Sequence, residues 1–266
     1  MTRCEADTHD SQLSEAGRLI VPRRGDRHGP LSPLLLVLTI VTGLVDAFSY
    51  LCLGRVLVAN MTGNIVFGGF ALGGAPGFTW WALLLSAGAV MIGAWIGGNL
   101  IARHSHRGRL LSVASAIESA VLAGAWLASL IAPQPYVGVH LAVLIAILGV
   151  ALGLQNATAR SLQVPDLATS VLTLTIIGIA ADTAARVGSR WGRRSVPVLT
   201  MFLGGAAGAA LVVSGLGPLD LALSACLAAA VAAAAATTFR STGAWTEWEP
   251  PAPPAALHLR YRGRLH

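Results

Sequence analysis

GLVDAFSYLCLGRVLVANMTGN, residues 43–64, carries one acidic residue and then a polar cluster inside a strongly apolar part of the chain. The acid is Asp46, and the cluster consists of Asn60, Thr62 and Asn64. A charged side chain at the centre of a membrane span costs roughly 2.5 to 3.5 kcal/mol on insertion scales, so it is more often functional than accidental. The stretch therefore predicts a membrane location and a polar site within it.

The composition supports the membrane location. Hydrophobic residues make up 55% of the 266 residues and charged residues only 11%, whereas soluble domains carry about 25% charged residues. The basic residues are all arginine and border the apolar segments, which is the distribution that the positive-inside rule describes. We therefore predict an all-α integral membrane protein whose surroundings are the lipid bilayer, and the charge pattern argues against a nucleic-acid partner.

The two ends of the chain differ from its middle. Residues 1–30 mix arginines with acids and have no apolar core, so they predict a disordered basic cytoplasmic tail and not a signal peptide. Residues 241–266 are rich in proline and arginine and form a second tail. Residues 31–240 form the polytopic membrane domain.

The middle of the chain divides into eight apolar segments. A spanning helix needs about 20 apolar residues, and runs of about 10 to 14 are more often re-entrant or buried. The second segment is interrupted by the polar cluster and the sixth is short, so these two are the weakest spans. The segments cover residues 33–54, 56–74, 80–102, 110–132, 137–157, 166–182, 196–216 and 219–239.

The arginines help to decide how many segments cross. If all eight cross from a cytoplasmic N-terminus, Arg55, Arg103, Arg107, Arg109 and Arg160 all lie outside. If the second and sixth segments instead enter the membrane and return on the same side, only Arg55 of these arginines lies outside. The positive-inside rule therefore favours six spanning helices plus two short re-entrant or broken helices, with both termini cytoplasmic.

The decisive stretch has a degenerate copy later in the chain. GLVDA at 43–47 matches GLQNA at 153–157, and Thr62 corresponds approximately to Thr169. The chain therefore resembles a duplication, with repeats at 33–132 and 137–239. Three crossings per repeat make the two copies inverted, as in many secondary transporters. Eight crossings would make them parallel instead.

Small residues repeat in the same way. The third segment carries Gly93 and Gly97 and the seventh carries Gly204 and Gly208, each pair in Gly-x-x-x-Gly spacing. This spacing lets membrane helices approach closely, within one chain or between two copies, so a homo-oligomer stays open. The chain is rich in glycine and alanine, so chance is an alternative explanation for these pairs.

Asp46 is the first candidate for chemistry. An unpaired carboxylate in hydrocarbon takes a proton, binds a cation or pairs with an arginine. Tyr50, one helical turn away, can donate a hydrogen bond to it. The structural alternative is an ion pair with Arg55, which requires the chain to fold back because a straight helix would separate the two residues by about 13 Å.

The remaining candidates form two walls of one predicted site. Asn60, Thr62 and Asn64 supply amides and a hydroxyl at the start of the second segment, although capping of that helix is an alternative role. Gln155, Asn156 and Thr169 supply the opposite wall.

Glu118 stands alone in the fourth segment, either as a proton relay or as a hydrogen bond between helices. No catalytic motif, metal cluster or cofactor fingerprint occurs, so we expect neither an enzyme nor a bound cofactor.

These motifs resemble one known family. The stretch from Gly43 to Asn64 and the copy at 153–157, followed by Ala168 and Thr169, are similar to the YoaK family of uncharacterised bacterial inner-membrane proteins. The resemblance covers about residues 33–239. It implies about six spanning helices and a multi-pass location in the bacterial plasma membrane, but it names no substrate.

Two functions from different classes fit these features. The first is a secondary permease for a small polar solute, proton-coupled through Asp46. The alternative is a non-transporting membrane scaffold or sensor, whose polar cluster only caps helices and whose tails recruit a partner.

Overall fold

The computed structural model describes residues 17, 19–21, 28–164, 176–178, 191–238 and 245–246. Seven helices with defined bounds dominate this part of the chain, which contains no strand. They are α1 (Leu31–Cys52), α2 (Met61–Leu72), α3 (Trp80–Arg103), α4 (Arg107–Ile131), α5 (Gly138–Ser161), α6 (Trp191–Val213) and α7 (Gly217–Ala236).

Six of these helices are long and apolar enough to cross a membrane. Each has at least 20 residues, which corresponds to about 30 Å at 1.5 Å per residue. Large apolar side chains such as Met91, Trp95 and Phe202 are exposed on α3 and α6, as expected of faces that contact lipid. The chain is therefore an all-α integral membrane protein with six candidate spans, as the sequence predicted.

The second apolar segment differs from the six candidate spans. Residues 53–60 are not helical, and α2 contains only 12 residues, about 18 Å. The predicted segment began at residue 56, so its first residues belong to the connection and not to the helix. The sixth predicted segment, 166–182, lies outside the described residues except for 176–178.

Hydrogen bonds between α4 and α7 fix their relative direction. Ser112 Oγ donates to the carbonyl of Ala232 at 2.9 Å, and Ser119 Oγ donates to the carbonyl of Ala225 at 2.8 Å. Residue numbers rise along α4 while they fall along α7, so the two helices are antiparallel.

Close glycine contacts fix the direction of α1 against α6. A Cβ added to Gly204 would lie 2.5 Å from the carbonyl oxygen of Ile40, and one added to Gly208 would lie 2.9 Å from the Cβ of Ala47. Residue numbers rise together along both helices, so α1 and α6 are parallel.

These directions determine the path of α2. Helix α7 opposes α6 across a short turn at 214–216, so it also opposes α1, and α4 therefore runs parallel to α1. Helix α3 opposes α4 across the short connection at 104–106, so it opposes α1 as well. The connection at 53–79 that holds α2 thus returns to the side at which α1 ended, and α2 does not cross.

The contact between α3 and α5 has the same form as the contact between α1 and α6. The backbone at Gly93 touches Val150, and a Cβ on Gly97 would lie 2.8 Å from the Cβ of Ala157. Gly153 approaches the carbonyl of Val90 so closely that a Cβ there has no room. The glycines that the sequence predicted for helix packing therefore lie at two helix interfaces within the chain.

Candidate functional site

The non-helical stretch 53–60 carries the chain back into the membrane before α2 begins. Asp46 is 8% exposed, and its Oδ1 accepts a hydrogen bond from the backbone N–H of Ala59 at 2.9 Å. Asp46 lies six residues before the end of α1, about 9 Å along the helix axis. The N-terminus of α2 is therefore held below the end of α1, within the protein, which is where irregular backbone is tolerated at membrane depth.

Asn60 begins α2 as its N-cap. Its side-chain oxygen accepts a hydrogen bond from the backbone N–H of Gly63 at 3.3 Å, which satisfies one of the free donors at the helix start. Asn60 and Thr62 are both exposed, so capping leaves them accessible to a solute.

Asn64, in the first turn of α2, forms hydrogen bonds to the backbone of the irregular connection 53–60. Its Oδ1 accepts from the backbone N–H of Leu57 at 3.0 Å, while its Nδ2 donates to the carbonyl of Leu57 and to Ser86 Oγ. Asn64 is itself buried. It provides partners for the N–H and the carbonyl of Leu57, which lies in the irregular connection and has no helical hydrogen bonds. Its position favours a structural role over contact with a solute.

The proposed partners of Asp46 lie elsewhere. The Arg55 guanidinium lies over the ring of Phe78, 5.4 Å from its centroid, so it does not form the ion pair considered above. Tyr50 packs its ring against Phe67, with 6.1 Å between ring centroids. Tyr50 and Arg55 line a separate, shallow cavity of about 650 Å³ at the opposite end of the connection.

A cavity of about 600 Å³ lies beside the N-terminus of α2, between that helix, α3 and α5. It brings together three of the predicted site residues, one from the later sequence copy: Asn60, Thr62 and Asn156. The other lining residues are Ala59, Met61, Val90, Ala94, Ile101, Gly153, Ala157, Arg160, Ser161 and Gln163.

The cavity runs from the inside of the protein toward one membrane surface. Along α3 it extends from Val90 to Ile101, about 16 Å at 1.5 Å per residue. Its outer part reaches Arg160 in the last turn of α5. Arg160 is the one charged residue among the described lining residues. In the sequence analysis it served only as a marker of the membrane boundary.

Gln155 is not part of the cavity. Its Nε2 donates to the carbonyl of Leu38 at 3.1 Å and to Thr42 Oγ1 at 2.7 Å, so it joins α5 to α1. Consecutive residues of a helix point about 100° apart, which explains why Asn156 lines the cavity and Gln155 does not. Thr169 lies outside the described residues.

Two further carboxyl groups are buried in the helix bundle. Glu118 on α4 is 1% exposed and its Oε1 has no hydrogen-bond partner. Asp220 on α7 is fully buried, and neither of its carboxylate oxygens has one. Sequence reasoning missed Asp220 because it stands at the edge of its apolar segment, where an exposed acid needs no explanation. Among the described residues, no group of three His, Cys, Asp or Glu side chains is placed to hold a metal ion.

Comparison with known proteins agrees with the fold. Residues 34–236 match the family described as "Protein of unknown function (DUF1275)". The chain is 30% identical over 156 residues to the UPF0700 transmembrane protein YoaK of Bacillus subtilis (strain 168), a match that covers 58% of this chain and 68% of the relative. No solved structure matches the chain. The family match spans all six candidate membrane helices, so the chain belongs to the DUF1275 family, and the resemblance to the YoaK family is confirmed.

Proposed function

We propose that the protein is a secondary permease for a small polar solute, which binds in the cavity between α2, α3 and α5. The observation that carries this proposal is the position of Asn60, Thr62 and Asn156 around one cavity within the membrane domain. A solute pathway is a common reason for polar groups at membrane depth, where they are otherwise costly.

The lining indicates what kind of solute fits. Asn60, Thr62 and Asn156 offer amide and hydroxyl groups, the N-terminus of α2 offers partly positive backbone N–H groups, and Arg160 offers a full positive charge. Among the described lining residues, none is acidic. These groups suit a solute that presents hydrogen-bond acceptors, and broken helices of transporters bind such groups in this way.

An inverted duplication is the second part of the proposal, and the glycine contacts support it. Ile40 and Ala47 of α1 stand where the sequence copy has Val150 and Ala157 of α5. The first pair touches Gly204 and Gly208 of α6, and the second touches Gly93 and Gly97 of α3.

Each repeat thus places its first helix against a helix of the other repeat. Because α1 and α5 run in opposite directions, an axis that relates the two repeats lies in the membrane plane. Such an arrangement is suited to alternating access, in which one set of helices rocks against the other around a fixed site.

The arginines support an orientation in the bacterial plasma membrane with both ends of the helical domain on the cytoplasmic side. Arg103, Arg109, Arg160 and Arg194 lie near the side at which α1 begins, whereas Arg55 lies near the other. The cavity extends toward the arginine-rich side, so this conformation is the inward-facing state of the proposed cycle.

A thermal-shift screen of purified protein against amino acids, sugars, nucleosides and small carboxylic acids tests the proposal. A compound that binds the folded state raises its stability by mass action, about 2.7 kcal/mol at a hundred times its Kd. Ala94→Phe fills the cavity and should remove this stabilisation. Ala102→Phe places the same ring on the same helix at an exposed position outside the cavity and should keep it.

Two results contradict the permease. One is a complete lack of stabilisation across the panel, which is the outcome expected of a scaffold. The other is equal stabilisation of the Ala94→Phe and Ala102→Phe variants. A compound that passes this test is then used for uptake measurements in proteoliposomes.

A further inference from the structure

Asp220 has the least satisfied carboxyl group in the described part of the chain. It lies in the first turn of α7, is fully buried, and has no hydrogen-bond partner on either oxygen. Buried polar groups are nearly always paired in folded proteins, so an exception of this kind requires an explanation.

The surroundings of Asp220 are built from small residues. A Cβ on Gly208 of α6 would lie 2.9 Å from Asp220 Oδ1 and 2.9 Å from the Cβ of Ala47 on α1. Asp220 therefore sits at the contact where three helices meet, and the absence of a side chain at Gly208 leaves the space for its carboxyl group.

Within the described residues, no basic side chain lies on the parts of α1, α4 and α6 that pack near Asp220. From α1, the titratable groups are Asp46, Tyr50 and Cys52, of which Cys52 is close enough to interact electrostatically with Asp220. From α4, the one acid after Arg109 is Glu118, and the part of α6 beyond Arg194 has no titratable residue. An ion pair thus offers no explanation for Asp220.

Asp46 provides the contrast. Its carboxylate accepts a backbone hydrogen bond from Ala59 and holds the connection before α2 in place. That role explains why a carboxylate is present at position 46. Neither oxygen of Asp220 has a hydrogen-bond partner, so only the partly positive N-terminus of α7 favours its charged form. The proton-binding role that we predicted for Asp46 from the sequence therefore fits Asp220 better.

We propose that Asp220 binds and releases the coupling proton, an inference that rests on the proposed permease function. An unpaired charged carboxylate in an apolar interior either binds a proton or binds a cation. Among the described residues, no group of three His, Cys, Asp or Glu side chains is placed to hold a metal ion. We therefore assign the proton as the ligand of Asp220.

The position of Asp220 connects protonation to helix packing. The neutral acid fits between α1, α6 and α7, whereas the charged form needs water or a donor that the closed contact lacks. Loss of the proton therefore favours separation of α6 from α1. Ser224, one helical turn further along α7, is also buried and its hydroxyl has no hydrogen-bond partner.

Infrared spectroscopy of the full-length protein in lipid vesicles tests the proposal without a solute or a transport assay. The spectrum is titrated from acidic to alkaline pH, and the carbonyl band of a protonated carboxylic acid is followed. We expect this band to contain a titrating component that Asp220→Asn removes and that Asp46→Asn and Glu118→Gln leave in place. A titrating band that is the same in Asp220→Asn as in the natural protein overturns the assignment.

A second pair of variants decides the question if Asp220→Asn does not fold. Gly208→Ala keeps the carboxyl group and adds a methyl group beside it, so it should shift the frequency of the same band. Gly97→Ala adds a methyl group at the equivalent contact of α3, which has no carboxylate near it. This control variant should leave the frequency of the band unchanged. An unshifted band in Gly208→Ala overturns the proposal. Because these readouts need no solute, the proton site can fail while the permease stands, and the reverse also holds.

Discussion

Asp46 Oδ1 accepts a hydrogen bond from the backbone N–H of Ala59 at 2.9 Å, across a reversal of the chain within the membrane domain. This bond joins the last third of α1 to the residue before the N-cap of α2. The Asp46 carboxylate therefore has a structural role, which is to hold the connection before α2 in place.

The first prediction concerns this anchor. Asp46→Ala leaves the partly buried N–H of Ala59 without an acceptor, so we expect a loss of about 1 to 3 kcal/mol in stability. Asp46→Asn keeps a side-chain oxygen at the same place and should lose less than about 1 kcal/mol. Thermal unfolding in detergent measures both variants. Equal stability of the alanine variant and the natural protein would show that the anchor contributes nothing.

A second prediction concerns Asn64. Asn64→Asp replaces the amide that donates to the carbonyl of Leu57 and to Ser86 with a second acceptor. We expect a cost of about 1 to 3 kcal/mol because these buried groups lose their donor. Asn99→Asp is the matched control, since Asn99 donates to the carbonyl of Trp95 at an exposed position. Comparable melting temperatures for the two variants would contradict this prediction.

The glycine contacts provide a third prediction. Gly93→Ala and Gly204→Ala each press a methyl group against the backbone of the neighbouring helix, so each should destabilise the fold by about 1 to 3 kcal/mol. Gly88→Ala and Gly98→Ala point into open space and should be neutral or slightly stabilising. A duplication predicts that Gly93→Ala and Gly204→Ala lower the free energy of unfolding by similar amounts. If Gly93→Ala and Gly204→Ala are both as stable as the natural protein, close helix contact at these glycines does not contribute to stability.

The fourth prediction tests the path of α2. Single cysteines are introduced at Leu51, Pro76 or Ser105 in a background without native cysteines, in sealed vesicles of defined orientation. An impermeant maleimide should label positions 51 and 76 from the same side and position 105 from the other, because the connection at 53–79 returns. Labelling of positions 51 and 76 from opposite sides would mean that α2 crosses the membrane.

Hydropathy predicted eight apolar segments, and the distribution of the arginines reduced the number of spans to six. Hydropathy could not place the start of α2, since Val56, Leu57 and Val58 are as apolar as a helix yet lie in the irregular connection. Such a connection is stable because Asp46 and Asn64 satisfy its backbone groups, and those contacts depend on tertiary structure.

The candidate site was predictable in part. Asn60, Thr62 and Asn156 were named from the sequence and line one cavity. Arg160 was overlooked as a lining residue because an arginine at a helix end usually marks only the cytoplasmic boundary. Asp220 was overlooked because the sequence does not show that Gly208 and Ala47 enclose it. In both cases the missing information was which helix faces which.

The pairing of α1 with α6 has a consequence for how the protein is made. A ribosome releases α1 into the bilayer long before α6 has been synthesised, so the nascent chain must wait with the face around Gly43 covered only by lipid. Helices α3 and α5 meet much sooner. Of the two helix pairs that meet at glycines, α3 and α5 therefore pack first, and α1 and α6 pack last. A ribosome that stalls before Gly204 leaves a product that cannot complete its bundle.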